Sequence, residues 1–187
     1  MTTATFLTNH LLIAMPSLVD PYFSHSVTYI CEHNENGAIG IVINRPLDIN
    51  LIEVFKQMDI ESTNANADTF PVLCGGPLHP ERGFVLHTPG GNWRSTLEMS
   101  SEISVTTSRD ILQAIAQNLG PSNVVVSLGY ASWVAGQLEK EIVSNMWLVC
   151  PATPDILFNT PLPDRWDAAV RALGIDINNL SSSIGHA

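Results

Sequence analysis

The stretch VVVSLGYASWVAGQLEKEIVSNMWLV, residues 124–149, constrains the fold more than any other part of the chain. Residues 124–128 are a run of β-branched and apolar side chains, the pattern of a buried strand. Gly129 permits a sharp turn. Beyond it Gln137, Leu138, Glu141 and Ile142 fall at helical spacing, with Leu138 and Ile142 an apolar i,i+4 pair. Asn145 reads as the helix stop, and residues 146–149 as a second buried strand. Strand, glycine turn, short helix and strand form a unit that a core can be built on.

The flanking sequence supplies strands and hairpins rather than a βαβ series. Residues 11–15 (LLIAM) read as a buried strand ended by Pro16, and Asp20-Pro21 as a turn. Residues 27–32 alternate as a half-buried strand, and 38–44 return as its hairpin partner across Asn34-Glu35-Asn36-Gly37, where Asn36-Gly37 accepts positive φ. Asn50 and Glu53 fit a capping box for a helix with Leu51, Val54, Phe55 and Met58 inward. Residues 59–69 are polar and aperiodic, an exposed mobile loop.

Val72-Leu73 leads into Cys74-Gly75-Gly76-Pro77, a tight turn, followed by a strand over 82–88 and another turn at Pro89-Gly90-Gly91-Asn92. Residues 95–107 alternate as one or two strands. Ser108 caps a helix with Ile111, Leu112, Ile115 and Leu119 on one face, ended by Gly120-Pro121. Residues 151–163 hold four prolines and read as an extended surface segment. A last helix over 163–173 turns Trp166, Ala169, Val170 and Leu173 inward and stops at Gly174. Residues 181–187 read as a fraying tail. The pattern predicts one α+β domain spanning residues 1–187, with a largely antiparallel sheet.

At 187 residues and 45% hydrophobic, the chain can bury a substantial core. Eighteen acidic residues face eight basic ones, for a net charge of −10. Only Lys56 and Lys140 are lysines, and no basic run exists, so direct nucleic-acid binding lacks its electrostatic footprint. Residues 1–15 carry no basic region before an apolar core, so no secretory signal is read. No apolar run approaches the roughly 20 residues of a membrane helix. Cys31, Cys74 and Cys150 are odd in number and form no CxxC pair, which predicts reduced thiols and a cytoplasmic protein.

Cys74 in CGGP is the candidate thiol, since turn amides lower a thiol pKa and His79 or His87 would serve as base. The plainer reading is a small residue closing a strand. His10, His25, His33, His79 and His87 show no metal-ligand spacing, so neither metal nor cofactor is assigned. Gly37-x-x-Gly40 and the 129–136 segment lack the Lys-Ser/Thr ending of a phosphate loop. Gly129 nevertheless precedes a helix whose amides would suit an anion. No Gly-x-Ser-x-Gly elbow is present. Trp133, beside Tyr130, Gln137 and Glu139, is either part of a recognition surface or a plug between helix and sheet.

Three stretches together resemble the YqgE/AlgH family of bacterial proteins: residues 9–47, residues 74–88 (CGGPLHPERGFVLHT) and residues 129–149. The family pattern GYAGWGAGQLE carries Ser132 and Val134 here in place of two glycines. The resemblance implies a bifurcated antiparallel sheet forming a pseudo-barrel flanked by short helices. It implies no established enzyme activity, and a role in transcriptional regulation without a helix-turn-helix. It marks Asn44, Arg45, Arg82, His87, Trp133, Gln137 and Glu141 as a shared binding surface. The resulting expectation is a non-catalytic binding protein with an unknown protein partner. The alternative is an enzyme or small-ligand site around His87, Cys74 and Arg82, which requires those side chains within about 10 Å of one another.

Overall fold

The computed structural model describes residues 5–182. Its frame is a ten-stranded sheet. The first strands are β1 (His10–Ala14), β2 (Val27–Asn34), β3 (Gly37–Val42), β4 (Pro46–Asn50) and β5 (Pro71–Cys74). They are followed by β6 (Leu78–His87), β7 (Thr96–Glu98), β8 (Ser104–Thr106), β9 (Val124–Val134) and β10 (Trp147–Pro151). The helices are α1 (Leu51–Gln57), α2 (Arg109–Ala116), α3 (Gln137–Val143), α4 (Arg165–Ala172) and α5 (Ile177–Ser182). The tail residues 183–187 lie outside the described residues.

β9 is the axis. Along one edge it pairs antiparallel with β6, from Leu78↔Tyr130 to His87↔Val124. Its other edge is shared: β5 runs parallel to residues 126–128, and β3 runs antiparallel to residues 131–134. The sheet therefore bifurcates at Gly129, as the α+β pseudo-barrel expectation requires. β5–β9 is the one parallel pairing among the described strands.

Gly129 does not turn the chain. The strand runs through it with φ +79°, and the effect is that of a bulge. Upstream, Val126 packs with α1 and α2; downstream, Ala131 and Trp133 pack with α3. In an unbroken strand residues 126 and 131 would face opposite sides. One irregular residue keeps both on the outer face, so the fork can be covered by different helices on its two arms.

The fork is closed by backbone contact. Gly75 N–H donates to Leu128 O and Val42 N–H donates to Gly75 O, both at 2.8 Å. A Cβ on Gly75 would sit 2.3 Å from Gly129 O, and one on Gly76 would sit 2.2 Å from the Tyr130 carbonyl carbon. Residues 74–77 thus turn, as expected, but they do so while pressed against β9.

Three apolar clusters follow from this frame. The inner one lies in the curl of the sheet, with Tyr29, Ile41, Phe84 and Leu86, and is closed by Trp166, Ala169 and Val170 of α4. The second packs α1 and α2 on the outer face through Phe55, Ile111 and Ile115. The third packs α3 on the other arm through Leu138, Trp133 and Trp147. β2 is consequently covered on both faces, Tyr29 inward and Ile30 outward, and is not the half-buried strand its alternation predicts.

One further local expectation holds and three change. Glu53 caps α1, accepting the Asn50 N–H at 2.6 Å. The 59–69 loop is pinned rather than free: Thr63 N–H donates to Ala116 O, and Ala67 is fully buried. Leu119 lies beyond α2 and is exposed, because Asn118 turns the chain with φ +60°. Residues 151–163 contain a π-helical turn, Asp155–Asn159, that buries Ile156 and Leu157.

The close approach at the fork makes a direct prediction. Gly75→Ala should cost about 1–3 kcal/mol or more, the range for overpacking a fixed core. Gly83→Ala, whose added methyl meets nothing nearer than 4.0 Å, should stay within about 0.5 kcal/mol. Urea unfolding of both variants checks this.

Candidate functional site

The aromatic candidate resolves into a clamp. Trp133 is 4% exposed and plugs the space between α3 and the sheet. Its indole N–H donates to Glu141 Oε2 at 2.8 Å, and Trp147 Nε1 donates to the same oxygen at 2.9 Å. Gln137 Nε2 donates to Glu141 Oε1 at 3.0 Å, while Gln137 Oε1 accepts the Val134 N–H at 3.1 Å. These family-marked residues are brought together, but as one carboxylate satisfying three donors beneath a helix. The helix begins after Gly136, not Gly129, so the anion-binding premise at Gly129 does not hold.

Asn44 and Arg45 form a second clamp. Asn44 Oδ1 accepts the Val27 N–H and its amide donates to His25 O, at 2.9 and 3.0 Å. Arg45 donates to the carbonyls of Pro21 and Ser24. Together they hold the 20–27 turn against the sheet.

Cys74 and His87 do not converge. They pair with Leu128 and Val124 on opposite edges of β9, four positions apart, or about 13 Å along the strand. Cys74 Sγ faces Gly76 O at 3.7 Å. His87 is 1% exposed; its Nδ1 donates to Thr88 O at 2.8 Å, so its Nε2 accepts the Thr106 hydroxyl at 2.7 Å. Thr96 in turn donates to Thr106 Oγ1. Burial pushes the His87 pKa below the usual imidazole value, outweighing the Thr88 bond, which raises it. The proposed dyad is thus two separate structural contacts.

Arg82 is placed differently. Its guanidinium lies 5.8 Å from the Tyr130 ring centroid and 5.9 Å from that of Phe84, while His79 stacks on Tyr130 at 5.7 Å. Arg82 and Arg109 also line a cleft of about 330 Å³ between β6, α1 and α2, floored by Val54, Leu112 and Val126. Arg109 donates to Met58 O. Neither arginine has a carboxylate within ion-pair distance among the described residues, where the ion pairs are His33–Glu139 and His79–Glu81. Arg94 lines a separate groove. Among the described residues, no group of three potential metal ligands occurs and no helix is long and apolar enough to cross a membrane.

The AlgH-like family model matches residues 11–178. The chain belongs to the AlgH-like family. A UPF0301 protein of Thioalkalivibrio sulfidiphilus is 56% identical over the full length of both chains, and one of Legionella pneumophila is 53% identical over the same span. The solution structure of AlgH from Pseudomonas aeruginosa matches with a TM-score of 0.80 at 47% identity, covering 100% of this chain and 99% of that one. A crystal structure from Corynebacterium diphtheriae matches with a TM-score of 0.72 at 21% identity, over 92% and 90% of the two chains, and shows the shared fold.

In this AlgH-like protein the residues missed from sequence are Phe84, Thr106, Arg109 and the His33–Glu139 pair. His33 accepts the Leu7 N–H on Nδ1 and donates from Nε2 to Glu139 at 2.8 Å, tying the N-terminal segment, the β2–β3 hairpin and α3 together. No spacing signal marks contacts between residues 106 apart. The helical position of Arg109, next to the Ser108 cap, was the available clue to the cleft.

Two predictions follow. Glu141→Ala should lower stability by about 2–3 kcal/mol, since it leaves two nearly buried indole N–H groups unpaired; chemical unfolding measures this. His87 resists protonation when folded, so the unfolded chain binds the proton first as pH falls below about 6.5. Stability contributed at this position is therefore complete above that pH and declines below it. His87→Gln should lose less stability between about pH 7.5 and 5.5 than the parent chain, measured as the difference in urea midpoint.

Proposed function

We propose that this AlgH-like protein is a non-catalytic binding protein whose working surface is the Arg82–Arg109 cleft. The observation that carries the reading is the contrast between two classes of side chain. Cys74, His87, Glu141, Asn44 and Arg45 are each committed to a contact that holds the fold. Arg82 and Arg109 line a concave surface without an ion pair to a carboxylate among the described residues, although Arg109 spends part of its donor capacity on Met58 O and Glu81 lines the same cleft, in a chain of net charge −10. Guanidinium groups without an ion-pair partner among the described residues, over an apolar floor, suit recognition of an anionic group.

A role in transcriptional regulation, implied by the family resemblance, would on this reading work through a protein partner that senses the cleft. The arginines support no route through DNA. Arg45 is held by carbonyls, Arg94 lies in another groove, and Arg82 and Arg109 alone do not make the extended cationic stripe that phosphate backbones require.

Incubation with a bacterial metabolite extract, followed by mass spectrometry, should show no time-dependent substrate loss above a protein-free blank. The same extract should shift the backbone amide resonances of residues 82 and 109 in the parent chain and leave that of Arg109 unmoved in Arg82→Gln. Steady turnover abolished by His87→Gln or Cys74→Ser would overturn the reading.

A further inference from the structure

Arg165 is a buried cation with no counter-ion among the described residues. It opens α4, is 7% exposed, and donates from Nε to Thr160 O at 3.0 Å and from one terminal nitrogen to Ile43 O. These bonds tie α4 to the end of the β3 strand and use two of the five guanidinium donors. No carboxylate lies within ion-pair distance of it among the described residues. Desolvation pushes its pKa down to about 10, with no compensating charge among the causes. Leaving a charge uncompensated in this way is costly, and the chain places none of its 18 acidic residues to relieve it.

The same arginine lines a pocket of about 150 Å³, apart from the Arg82 cleft, whose other walls include Phe70, Leu73, Val124, Phe158 and Leu162. Apart from Arg165, these walls offer only hydrocarbon side chains. A phosphate there would find one cationic group and few further donors for its oxygens. A carboxylate needs only the planar fork, and a short hydrocarbon body matches the rest of the wall. A purely structural staple accounts for the two carbonyl bonds; it does not account for an arginine that lines an otherwise apolar pocket with no carboxylate partner among the described residues.

We infer that Arg165 is the anion-holding group of a small-molecule site that takes a short-chain carboxylate, its charge on the guanidinium and its hydrocarbon body against Phe158 and Leu162. The site is distinct from the Arg82–Arg109 cleft and stands or falls independently of it.

The test is a titration of the isotopically labelled full chain with isovalerate, followed through the Arg165 Nε–H resonance. Isopentyl alcohol supplies the same body without charge, and inorganic phosphate the charge without a body. Isovalerate should saturate the shift, with both controls weaker by about tenfold or more. Leu162→Trp, which fills the pocket while sparing the bonds to Ile43 and Thr160, should weaken isovalerate by about tenfold with the fold intact. Phe158→Trp narrows the opposite wall and serves if the first variant fails to fold. A shift that stays linear in isovalerate, equal binding of the alcohol, preference for phosphate, or unchanged binding in the folded filled-pocket variant would each overturn the inference.

Discussion

The contact of Gly75 and Gly76 with the backbone of β9 is the constraint on which the rest of this structure depends. Two strands, β3 and β5, must share one edge of a third, and they can do so only where the intervening chain leaves room. Side chains at either glycine would occupy the space of the Gly129 and Tyr130 backbone. With those side chains absent, main-chain hydrogen bonds join the ends of both arms to the junction. The curl of the sheet, the inner core and the separate helical covers all follow from that junction. It also explains why a motif that looks like a reactive-thiol turn is architectural: its glycines are needed for proximity, and the neighbouring cysteine points its sulfur at a local carbonyl.

Electrostatics in this chain are arranged around the backbone more than around ion pairs. Arg45, Arg109 and Arg165 all donate to carbonyl oxygens, and Arg82 lies against aromatic rings. Glu141 receives neutral donors from two tryptophans and a glutamine. Guanidinium groups that spend only part of their donor capacity on carbonyls keep both charge and directionality for another anion. Arg109 and Arg165 meet that description while lining a concavity, and Arg82 lines the same cleft as Arg109.

Much of the fold was legible in the sequence because its signals are local. The β2–β3 hairpin, the Asn50–Glu53 cap and the inward face of α4 rest on turn chemistry and periodicity over a few residues. Gly129 misled because glycine is compatible with both a turn and a bulge, and only the partners of β9 decide between them. The proline-rich 151–163 segment misled because Ile156 and Leu157 are buried by α4 and the inner core, contacts that composition does not encode. At the candidate site the marked residues were found together in clamps, Trp133 with Gln137 and Glu141, and Asn44 beside Arg45. Their roles depend on which donor meets which acceptor, and spacing carries no such information. Arg165 escaped notice altogether, since a lone arginine at a helix start has no sequence signature of burial.

The most direct test of the account is native-state hydrogen exchange at the amides of Gly75 and Val42, the two donors that close the fork. If the junction organises the fold, both should exchange only through global unfolding, with the same free energy as the most protected amides of β9. Exchange of either amide through a local opening, well below the global free energy while β9 and β6 stay protected, would contradict it. In that case the fork would be a consequence of the surrounding packing and not its cause.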